Sequence, residues 1–341
     1  MKNKKDFLLY YQKNYKNIID KKFDELNKEY YRKVKNIMVE YIICFILLVV
    51  LILFFYNNFI NIISIVFIIL LMFLFFFIIF INYKYLSNKQ KELSYQINNL
   101  IYQDIISFLT NNYLYEENTQ LAIEDFKKMG LFNLDILNYQ GSHFTCVNIN
   151  NKRFLYCDVL LYTTREKILH DKYYDENDDI LYITNYYYDE EIPIFKGLYY
   201  EMKISKKNKD YIYLIPNNLG DKFINKNIYH YISFKGNKIE LENIEFNERY
   251  QVYSFNELKS RYLLSLTLME KINELDKIIP NKKYYVFKKD GGIGLFINDF
   301  TIEKLLDKKI DWKKEISKEY VGDFFEKIYY LFMINEILDE K

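Results

Sequence analysis

The feature that most constrains this chain is a long apolar run near its N-terminus, residues 41–81, which contains no charged residue. A single straight helix of that length would measure roughly 60 Å, about twice the hydrocarbon thickness of a bilayer. Three asparagines, at positions 57, 58 and 61, interrupt the run, and amide side chains favour turns and are costly in lipid. The run therefore predicts a transmembrane hairpin with two spans, about 41–56 and 62–81.

The charges on either side of the apolar run predict its orientation. The connecting turn carries no charge, so the positive-inside rule places both basic flanks in the cytoplasm. About forty residues precede the first span, which argues against a cleaved signal peptide. We therefore expect a multi-pass protein of the cell (cytoplasmic) membrane, with both termini cytoplasmic and the lipid bilayer as a partner. The flanking basic residues are Arg32, Lys33 and Lys35 before the run, and Lys84, Lys89 and Lys91 after it.

Amphipathic helical patterns flank the predicted hairpin. Apolar residues recur mostly every four positions before the first span, and the same rhythm follows the second span. Because each stripe needs a partner, the two predict a two-helix coiled-coil stalk; a helix lying on the membrane surface is the alternative for the first stripe. The predicted domains are 1–40 as a cytoplasmic amphipathic stalk helix, 41–82 as the transmembrane hairpin, 83–138 as helical stalk and connector, and 139–341 as a cytoplasmic α+β domain.

Beyond residue 139 the pattern changes to short β-type runs separated by polar turns. Asn217–Gly220 and Gly236-Asn237 supply turn signals at the expected places. Such a series is typical of a curved antiparallel sheet or partial barrel. The predicted strands are His143–Ile149, Phe154–Tyr162, Ile180–Tyr187, Phe195–Ile204, Tyr211–Ile215, Tyr229–Phe234, Lys238–Ile244 and Tyr250–Tyr253.

Helical patterns return after the sheet. Ser254 and Glu257 have the spacing of a capping box, which predicts a helix to about Lys277. A hairpin around Asp290–Gly292 and a last helix, about Lys314–Leu338, complete the chain. The predicted fold class is thus α+β: a two-helix transmembrane hairpin with a helical stalk, then a cytoplasmic antiparallel β-rich domain with C-terminal helices. The first of these helices is expected to bury one face, formed by Leu258, Tyr262, Leu266, Met269 and Ile272.

Several segments resemble a bacterial family of unknown function called DUF3137. They are Phe195–Tyr200, Ile244–Ser254, Arg261–Leu264 leading to Leu268–Glu270, and Tyr285–Ile297, which is similar to that family's closing hairpin. The resemblance extends to the two predicted spans and to Tyr139–His143, and so covers most of the chain. Leu266–Glu270 departs from the family pattern because it lacks a proline. The resemblance implies a membrane-anchored cytoplasmic domain, and it implies no activity and no functional residue.

Composition and motif spacing exclude several function classes. The formal net charge is only +1, whereas nucleic-acid binders usually present a net basic surface, so we expect no nucleic-acid partner. No C-x-x-C pair suggests zinc, and no motif suggests a cofactor. Cys146 and Cys157 flank a predicted turn at 150–153, which would place them opposite each other. They would pair outside the cell and remain thiols in a reducing cytosol.

Three short patterns suggest chemistry only weakly. Asp290–Gly294 looks like a phosphate loop, but strand-like residues lie on both sides, so a hairpin turn is favoured. Asp175–Asp179 matches the start of a calcium loop but has Ile180 where glycine is needed, which favours a solvated acidic loop. The three histidines, His143, His170 and His230, form no known catalytic or metal-binding pattern.

The densest charged group lies in the family-like segment and forms the candidate site. Two of the five arginines fall there, and guanidinium groups suit bidentate pairing with carboxylates. Structural ion pairs joining helix to sheet are one interpretation, and a surface for a partner or ligand is the other. The candidate residues are Glu245, Arg249, Glu257 and Arg261, with Glu248 beside them.

The sequence leaves three hypotheses for function open. The first is a membrane-tethered, non-enzymatic binding or sensory module for an unknown protein partner or small ligand. The second is an enzyme at the membrane face that acts on a lipid or a nucleotide, with Glu245, Arg249, Arg261 or a histidine converging in a pocket. The third is a structural membrane organiser that forms a homo-oligomer through its stalk.

Overall fold

The computed structural model of the chain divides into two compact units. The first comprises Met1–Phe108 and Leu305–Glu326, and the second comprises Leu109–Lys304 and Lys327–Lys341. The predicted domain boundaries stay a prediction. The structure describes residues 3–58, 62–110, 112–118, 121–129, 136–149, 152–174, 180–203, 212–217, 236–279, 284–289, 292–311 and 316–338.

Three helices form most of the first unit: α1 (Lys4–Asn14), α2 (Lys16–Asn58) and α3 (Ile62–Leu109). A capping box starts α1, in which the Asn3 side chain accepts from the Asp6 amide. Apolar residues of α1 and of the N-terminal part of α2 are buried, as are those of the second half of α3, so these parts of the helices form a core. The buried side chains include Phe7, Tyr11, Ile19, Phe23, Leu93, Ile97, Ile101 and Ile105.

Contacts between α2 and α3 show that these helices run side by side. The Tyr41 hydroxyl donates to the Ile79 carbonyl at 3.3 Å, and Lys33 Nζ donates to the Tyr85 hydroxyl at 3.3 Å. Phe7 at the start of the chain stacks on Phe325, with ring centroids 4.6 Å apart. The amphipathic stripes thus bury their apolar sides within this unit.

The prediction of a transmembrane hairpin is wrong. Within the part of the chain that the structure describes, no helix has the length and apolar character that a membrane span requires. A span needs about 20 predominantly apolar residues, and the first predicted span, 41–56, is shorter than that. In the structure this segment continues a long helix that begins in the charged N-terminal region. The hydrophobicity of residues 41–81, taken alone, therefore predicts two membrane spans that the structure does not contain among its described residues.

The localisation prediction depended on the same hairpin and is contradicted with it. The charges flanking two spans predict a multi-pass membrane protein with both termini in the cytoplasm, but the described helices supply no such span. The positive-inside rule orients segments that cross a bilayer, so it gives no orientation here. The lipid bilayer as a partner stays a prediction.

A nine-stranded sheet forms the centre of the second unit. The strand order is β1-β2-β3-β4-β9-β8-β5-β7-β6, and every neighbouring pair is antiparallel. The predicted antiparallel sheet is present. Its strands are β1 (Tyr113–Asn118), β2 (Asn138–Ile149), β3 (Lys152–Tyr174), β4 (Ile180–Lys203), β5 (Ile212–Pro216), β6 (Asn237–Ile239), β7 (Tyr250–Ser254), β8 (Tyr284–Lys289) and β9 (Gly292–Asn298).

The longest hairpin, β3–β4, differs from its prediction. The sequence indicated Ile180–Tyr187 and Phe195–Ile204 as separate strands, but both belong to β4, which is 24 residues long. The ladder between β3 and β4 runs from Phe154↔Met202 to Tyr174↔Ile180. The predicted strand Tyr229–Phe234 lies outside the described residues. Strand β1 was missed because its short Tyr-Leu-Tyr-Glu-Glu-Asn sequence offers little apolar alternation.

The hairpin β2–β3 turns between Ile149 and Lys152, as predicted. Its register pairs Cys146 with Leu155 rather than with Cys157, so the expected opposition of the two cysteines is wrong. Both thiols are free and buried. The turn sets this register, because positions 146 and 155 lie equally far from it. A shift in register between Ser142 and Thr145, farther from the turn than Cys146, marks a β-bulge.

Both faces of the sheet are covered. One face carries a core of aromatic and aliphatic side chains, into which helix α4 (Ile123–Met129) inserts Phe126. On another part of the sheet the ring of Phe154 contacts that of Phe332 edge-on, with centroids 5.6 Å apart. Gly294 of β9 is needed because a Cβ there would meet the Phe287 ring at 2.1 Å. The first core includes Leu155, Cys157, Val159, Leu161, Phe195, Tyr199 and Phe296.

Within the described residues, five helices follow or interrupt the later strands. The predicted single helix from Ser254 to Lys277 is two helices, α6 (Glu257–Leu263) and α7 (Leu266–Ile278), and the cap of α6 is Asn256 rather than Ser254. Ser254 is buried and accepts a hydrogen bond from the Ser260 hydroxyl instead. The helices are α5 (Ile244–Arg249), α6 (Glu257–Leu263), α7 (Leu266–Ile278), α8 (Ile302–Leu306) and α9 (Lys318–Leu338).

Candidate functional site

Two short helices carry the four candidate residues. The Asn243 side chain accepts from the Phe246 amide at 3.0 Å and begins α5, and the Asn256 side chain accepts from the Lys259 amide at 3.1 Å and begins α6. Asparagine is a preferred N-cap because its carbonyl satisfies an amide that has no partner within the helix. Each cap fixes the direction in which the following charged residues project.

On α5, Arg249 pairs with Glu245. The distance from Nη2 of Arg249 to Oε1 of Glu245 is 2.7 Å, and the two residues are one helical turn apart. Both side chains are exposed, and exposed pairs of this kind contribute only about 0.3–0.5 kcal/mol. This pair therefore stabilises a short helix slightly and leaves both groups accessible.

On α6, Arg261 makes a wider set of contacts. Its Nη2 donates to Oε1 of Glu257 at 2.8 Å and to the backbone carbonyl of Glu240 at 2.8 Å, and its Nη1 lies 3.7 Å from Glu242. The guanidinium thus ties the 240–242 segment to the side of α6. This arrangement agrees with the structural interpretation of the charged group.

The candidate residues do not converge on one point. Glu245 with Arg249 and Glu257 with Arg261 form two separate pairs, and the assignment of all four to a partner surface stays a prediction. A small cavity of about 10 Å³ near α7 is lined only by apolar side chains, among them Leu264, Leu268 and Ile272. In the described segments no three His, Cys, Asp or Glu side chains are placed to bind a metal ion.

Sequence reasoning missed the exposure of the residues that surround Arg261. Leu258 and Tyr262, predicted to be buried, are 83% and 81% exposed, and Leu266 is 65% exposed. The later members of the same predicted face, Met269 and Ile272, are 6% and 1% exposed. The first half of the stripe therefore projects from the surface, and only the second half reaches the core.

A helix break at Leu264-Ser265 is the reason. The Ser265 hydroxyl accepts from the Leu268 amide at 3.2 Å and starts α7 as a new helix. Leu263 and Leu264 turn into the core instead. Ser265 before a Leu-Thr-Leu-Met run was a usable signal, since serine is a favoured N-cap.

His143 is the one histidine whose side chain the structure describes. It is buried, its Nδ1 lies 3.1 Å from the Tyr115 hydroxyl, and burial lowers its pKa to about 4. Its backbone φ of 54° places it in the left-handed region, at the β-bulge of β2. A neutral histidine inside a bulge is a packing element. The His170 side chain and His230 lie outside the described part of the chain.

The two loop motifs have different outcomes. Strands β8 and β9 lie on either side of Asp290-Gly291 and pair up to Lys289↔Gly292, which confirms the hairpin interpretation over the phosphate loop. Asp175–Asp179, the acidic loop, lies outside the described residues.

A buried carboxylate at the start of α8 was also missed. Oδ1 of Asp158 accepts from the Ile302 amide and Oδ2 accepts from the Glu303 amide, each at 2.7 Å. Burial raises the pKa of Asp158 to about 7, although these two hydrogen bonds oppose the shift. Asp158 is 144 residues away in sequence from Ile302, so local patterns gave no signal for it.

The structure defines an α+β domain on an antiparallel sheet, with a surface helix that exposes apolar side chains and no convergent catalytic group among the described residues. Residues 193–340 match the family described as "Protein of unknown function (DUF3137)". This match confirms the resemblance to DUF3137 over those residues, which include α5, α6 and α7. It does not extend to the earlier segments.

Comparisons with curated protein sequences and with solved structures add no information about function. No curated protein sequence is significantly similar to the chain. Among solved structures, the crystal structure of the mycobacterial trehalose monomycolate transport factor A, TtfA, is similar over 66% of this chain and 86% of that chain. The identity is 9% and the TM-score is 0.32, so the similarity carries no argument about fold or function.

Proposed function

We propose that this protein is a non-enzymatic interaction module whose α6 surface binds a segment of a partner protein. Here the α6 surface means Phe255, Leu258, Tyr262 and Leu266 together with the acidic residues beside them. The observation that carries the proposal is the exposure of Leu258 and Tyr262, at 83% and 81%. Large apolar side chains clustered on a surface are typical of interaction sites.

The geometry of α6 supports a single binding face. Leu258 and Tyr262 are four residues apart in one helix, so their side chains are neighbours. Phe255, 61% exposed, immediately precedes the N-cap Asn256 at the start of α6. Tyrosine is enriched among residues that contribute most to binding, because its ring buries a large area with little loss of conformational entropy.

The base of this face is fixed. Ser260, on the same helix, is buried and its hydroxyl donates to Ser254 at 2.6 Å. Arg261 holds the neighbouring segment 240–242 against the helix. A surface that is ordered before binding loses less entropy when a partner docks.

The charges at the border indicate the chemistry of the partner. Arg261 brings the segment with Glu240 and Glu242 next to α6, and Glu257 begins the helix. Glu242 is 94% exposed. With Lys259 and Arg261 counted, the border still has more carboxylates than cations, so a partner segment with an apolar face bordered by lysine or arginine would be complementary.

The enzyme hypothesis receives less support. It required Glu245, Arg249, Arg261 or a histidine to converge in a deep pocket. Among the described residues, the charged groups lie in separate pairs and His143 is buried in the sheet. Oligomerisation through the stalk stays a prediction.

A defined peptide pair tests the proposal. The first peptide is an amphipathic helix with a leucine face bordered by lysine, and the matched peptide has glutamate in place of each lysine. We expect the full chain to bind the lysine peptide at least tenfold more tightly than the glutamate peptide, measured by fluorescence anisotropy. The substitutions Leu258→Ala and Tyr262→Ala should each weaken binding of the Lys peptide, because each removes an apolar contact. The matched control is Leu9→Ala, since Leu9 is 60% exposed on α1.

A photo-reactive phenylalanine analogue at position 262 extends this test to cells that express the chain. It should cross-link one protein, and the same analogue at Tyr330, which is 45% exposed, should not. Equal affinity for the two peptides, or binding that Tyr262→Ala leaves unchanged, would overturn the proposal.

A further inference from the structure

The exposed side of α6 carries its charges unevenly. Successive side chains of an α-helix are about 100° apart around its axis. Glu257 and Arg261 therefore lie on one side of Leu258 and Tyr262, and Lys259 lies on the other side. Leu258 and Tyr262 are the exposed apolar residues of this helix, and Lys259 is exposed as well. The apolar face of α6 thus has two borders of different composition.

The 240–242 segment lies along the border that contains Arg261. Nη2 of Arg261 donates to the Glu240 carbonyl at 2.8 Å, and Nη1 lies 3.7 Å from Oε1 of Glu242. The side chains of Glu240 and Glu242 are both exposed. Together with Glu257 they place three carboxylates and one guanidinium on this border, whereas Lys259 lies on the opposite border.

A second contact fixes the 240–242 segment from α5. The Leu241 side chain is buried. The Leu241 amide donates to Oδ1 of Asn247 at 3.1 Å, and the Leu241 carbonyl accepts from Nδ2 of Asn247 at 2.6 Å. Asn247 belongs to α5 and Arg261 belongs to α6, so the segment is hydrogen-bonded to both helices. The backbone that carries Glu240 and Glu242 is therefore ordered before a partner binds, which lowers the entropy cost of binding.

We propose that the α6 surface binds a partner segment whose two edges carry opposite charges. The cationic edge lies on the 240–242 segment, and the acidic edge lies on the side of Lys259. This inference rests on the proposed function of the α6 surface and adds the position of each charge on the partner.

Opposite edges also fix the direction in which the partner crosses α6. Turning the partner end for end, with its apolar face still on α6, exchanges its two edges. Like charges would then face each other on both borders, and such contacts disfavour the wrong arrangement.

Arg261 is a positioning residue in this arrangement. By its charge alone it should repel a cationic edge, but its hydrogen bond to the Glu240 carbonyl holds the 240–242 segment beside α6. The planar fork of a guanidinium can serve two acceptors at once, and here it serves Glu257 and the Glu240 carbonyl. Its position and its charge therefore have opposite effects on a cationic partner.

Three helical peptides with the same leucine face test the proposal. The lysine peptide has lysine on both edges, the mixed peptide has lysine on one edge and glutamate on the other, and the neutral peptide has glutamine on both. We expect the full chain to bind the mixed peptide about threefold more tightly than the lysine peptide in fluorescence anisotropy, although the lysine peptide carries more positive charge. Lys259→Gln should remove this advantage.

Substitution of the two exposed carboxylates tests the cationic edge. The double variant Glu240→Gln with Glu242→Gln should weaken binding of the mixed peptide about fivefold and leave binding of the neutral peptide unchanged. Glu242 is 94% exposed, so its replacement should not disturb folding. The matched control is Glu116→Gln, an exposed carboxylate on β1, which is at the other end of the strand order from β7 and β6. It should change neither affinity.

Arg261→Gln tests the positioning role. It removes a cation from the border, so a count of charges predicts tighter binding of the mixed peptide. We expect binding about threefold weaker instead, because the 240–242 segment loses its hydrogen bond to α6. Unchanged binding of the neutral peptide would show that the apolar face is intact. Tighter binding of the mixed peptide would overturn the positioning role.

Two results would overturn the proposal of opposite edges. One is binding of the lysine peptide that equals or exceeds binding of the mixed peptide, and the other is binding of the mixed peptide that the double variant leaves unchanged. Either result leaves the proposed function in place if the lysine and neutral peptides bind and Tyr262→Ala weakens both. If none of the peptides binds, the proposed function fails and this inference fails with it.

Discussion

Helices α6 and α7 are consecutive in sequence and continue one apolar pattern, yet they use it in opposite ways. On α6 the apolar residues Leu258 and Tyr262 project into solvent, whereas on α7 Met269 and Ile272 are buried against the sheet. Ser265 makes the difference, because it ends one helix and begins the next. The comparison teaches that periodicity identifies an apolar face but does not say whether that face is covered by the same chain.

The largest expected effect lies on the buried side of this comparison. Ile272→Ala should lower the free energy of unfolding by about 2–4 kcal/mol, because it removes buried methyl groups and leaves a cavity. Ile272 is 1% exposed and lines the small apolar cavity beneath α7. Urea unfolding followed by circular dichroism measures this change. A loss below about 1 kcal/mol would mean that α7 is not packed as the structure describes.

The same contrast between buried and exposed groups applies to carboxylates. Asp158 is buried and its pKa is raised from 3.8 to about 7. A group whose pKa is raised on folding binds more protons in the folded state, so the stability that it contributes is present at low pH and is lost as pH rises. We expect the free energy of unfolding to fall by on the order of 2 kcal/mol between about pH 4 and pH 7.

Asp158→Asn is the matched variant for this pH dependence. Its amide oxygen still accepts a hydrogen bond from α8, but it cannot ionise, so stability should vary less with pH over the same range. Urea unfolding at a series of pH values in both proteins measures the difference. Identical pH profiles would show that Asp158 does not titrate in this window.

Removing the cap that separates the two helices should have a smaller effect. Ser265→Ala should lower the free energy of unfolding by about 1 kcal/mol, because the Leu268 amide loses its acceptor. Ser265→Asn should retain most of the stability, since asparagine caps helices about as well as serine. If alanine instead stabilises the protein, the two helices are more stable when fused, and the break is not favoured by the sequence.

The smallest effect is expected on the exposed side. Leu258→Ala and Tyr262→Ala should each change the free energy of unfolding by less than about 0.5 kcal/mol, while they weaken binding of the Lys-bordered peptide. A loss of stability as large as that of Ile272→Ala would show that these side chains are covered within the chain. The apolar side chains of α6 and α7 would then both be buried, and the two helices would not differ in this respect.

Local patterns predicted part of this structure and part of the candidate site. The β2–β3 turn and the β8–β9 hairpin follow from strand runs around short polar turns, and both are present. The i, i+4 spacing of Glu245 with Arg249 and of Glu257 with Arg261 gives ion pairs within single helices, whereas the structural interpretation expected pairs that join helix to sheet. These features depend on residues close together in sequence.

The remaining features depend on contacts that sequence alone does not give. The length of β4 is set by its pairing with β3. Asp158 of β3 accepts hydrogen bonds from the first amides of α8, although the two segments are far apart in sequence. The apolar run at 41–81 predicts bilayer spans when its hydrophobicity is taken alone, whereas its described residues belong to the longer helices α2 and α3, which extend into charged segments. The exposure of Tyr262 follows from a helix break, which changes the angular position of every later residue.

The link between Asp158 and α8 has a consequence for the order of folding. Helix α8 has five residues, far fewer than an isolated helix needs to persist in water. The Lys304 amide donates locally to the Thr301 hydroxyl, but the Ile302 and Glu303 amides find their acceptor on Asp158 of β3, far earlier in the sequence. This turn should therefore form late, after the sheet has assembled, and slow hydrogen exchange of the Ile302 and Glu303 amides would report a completed sheet.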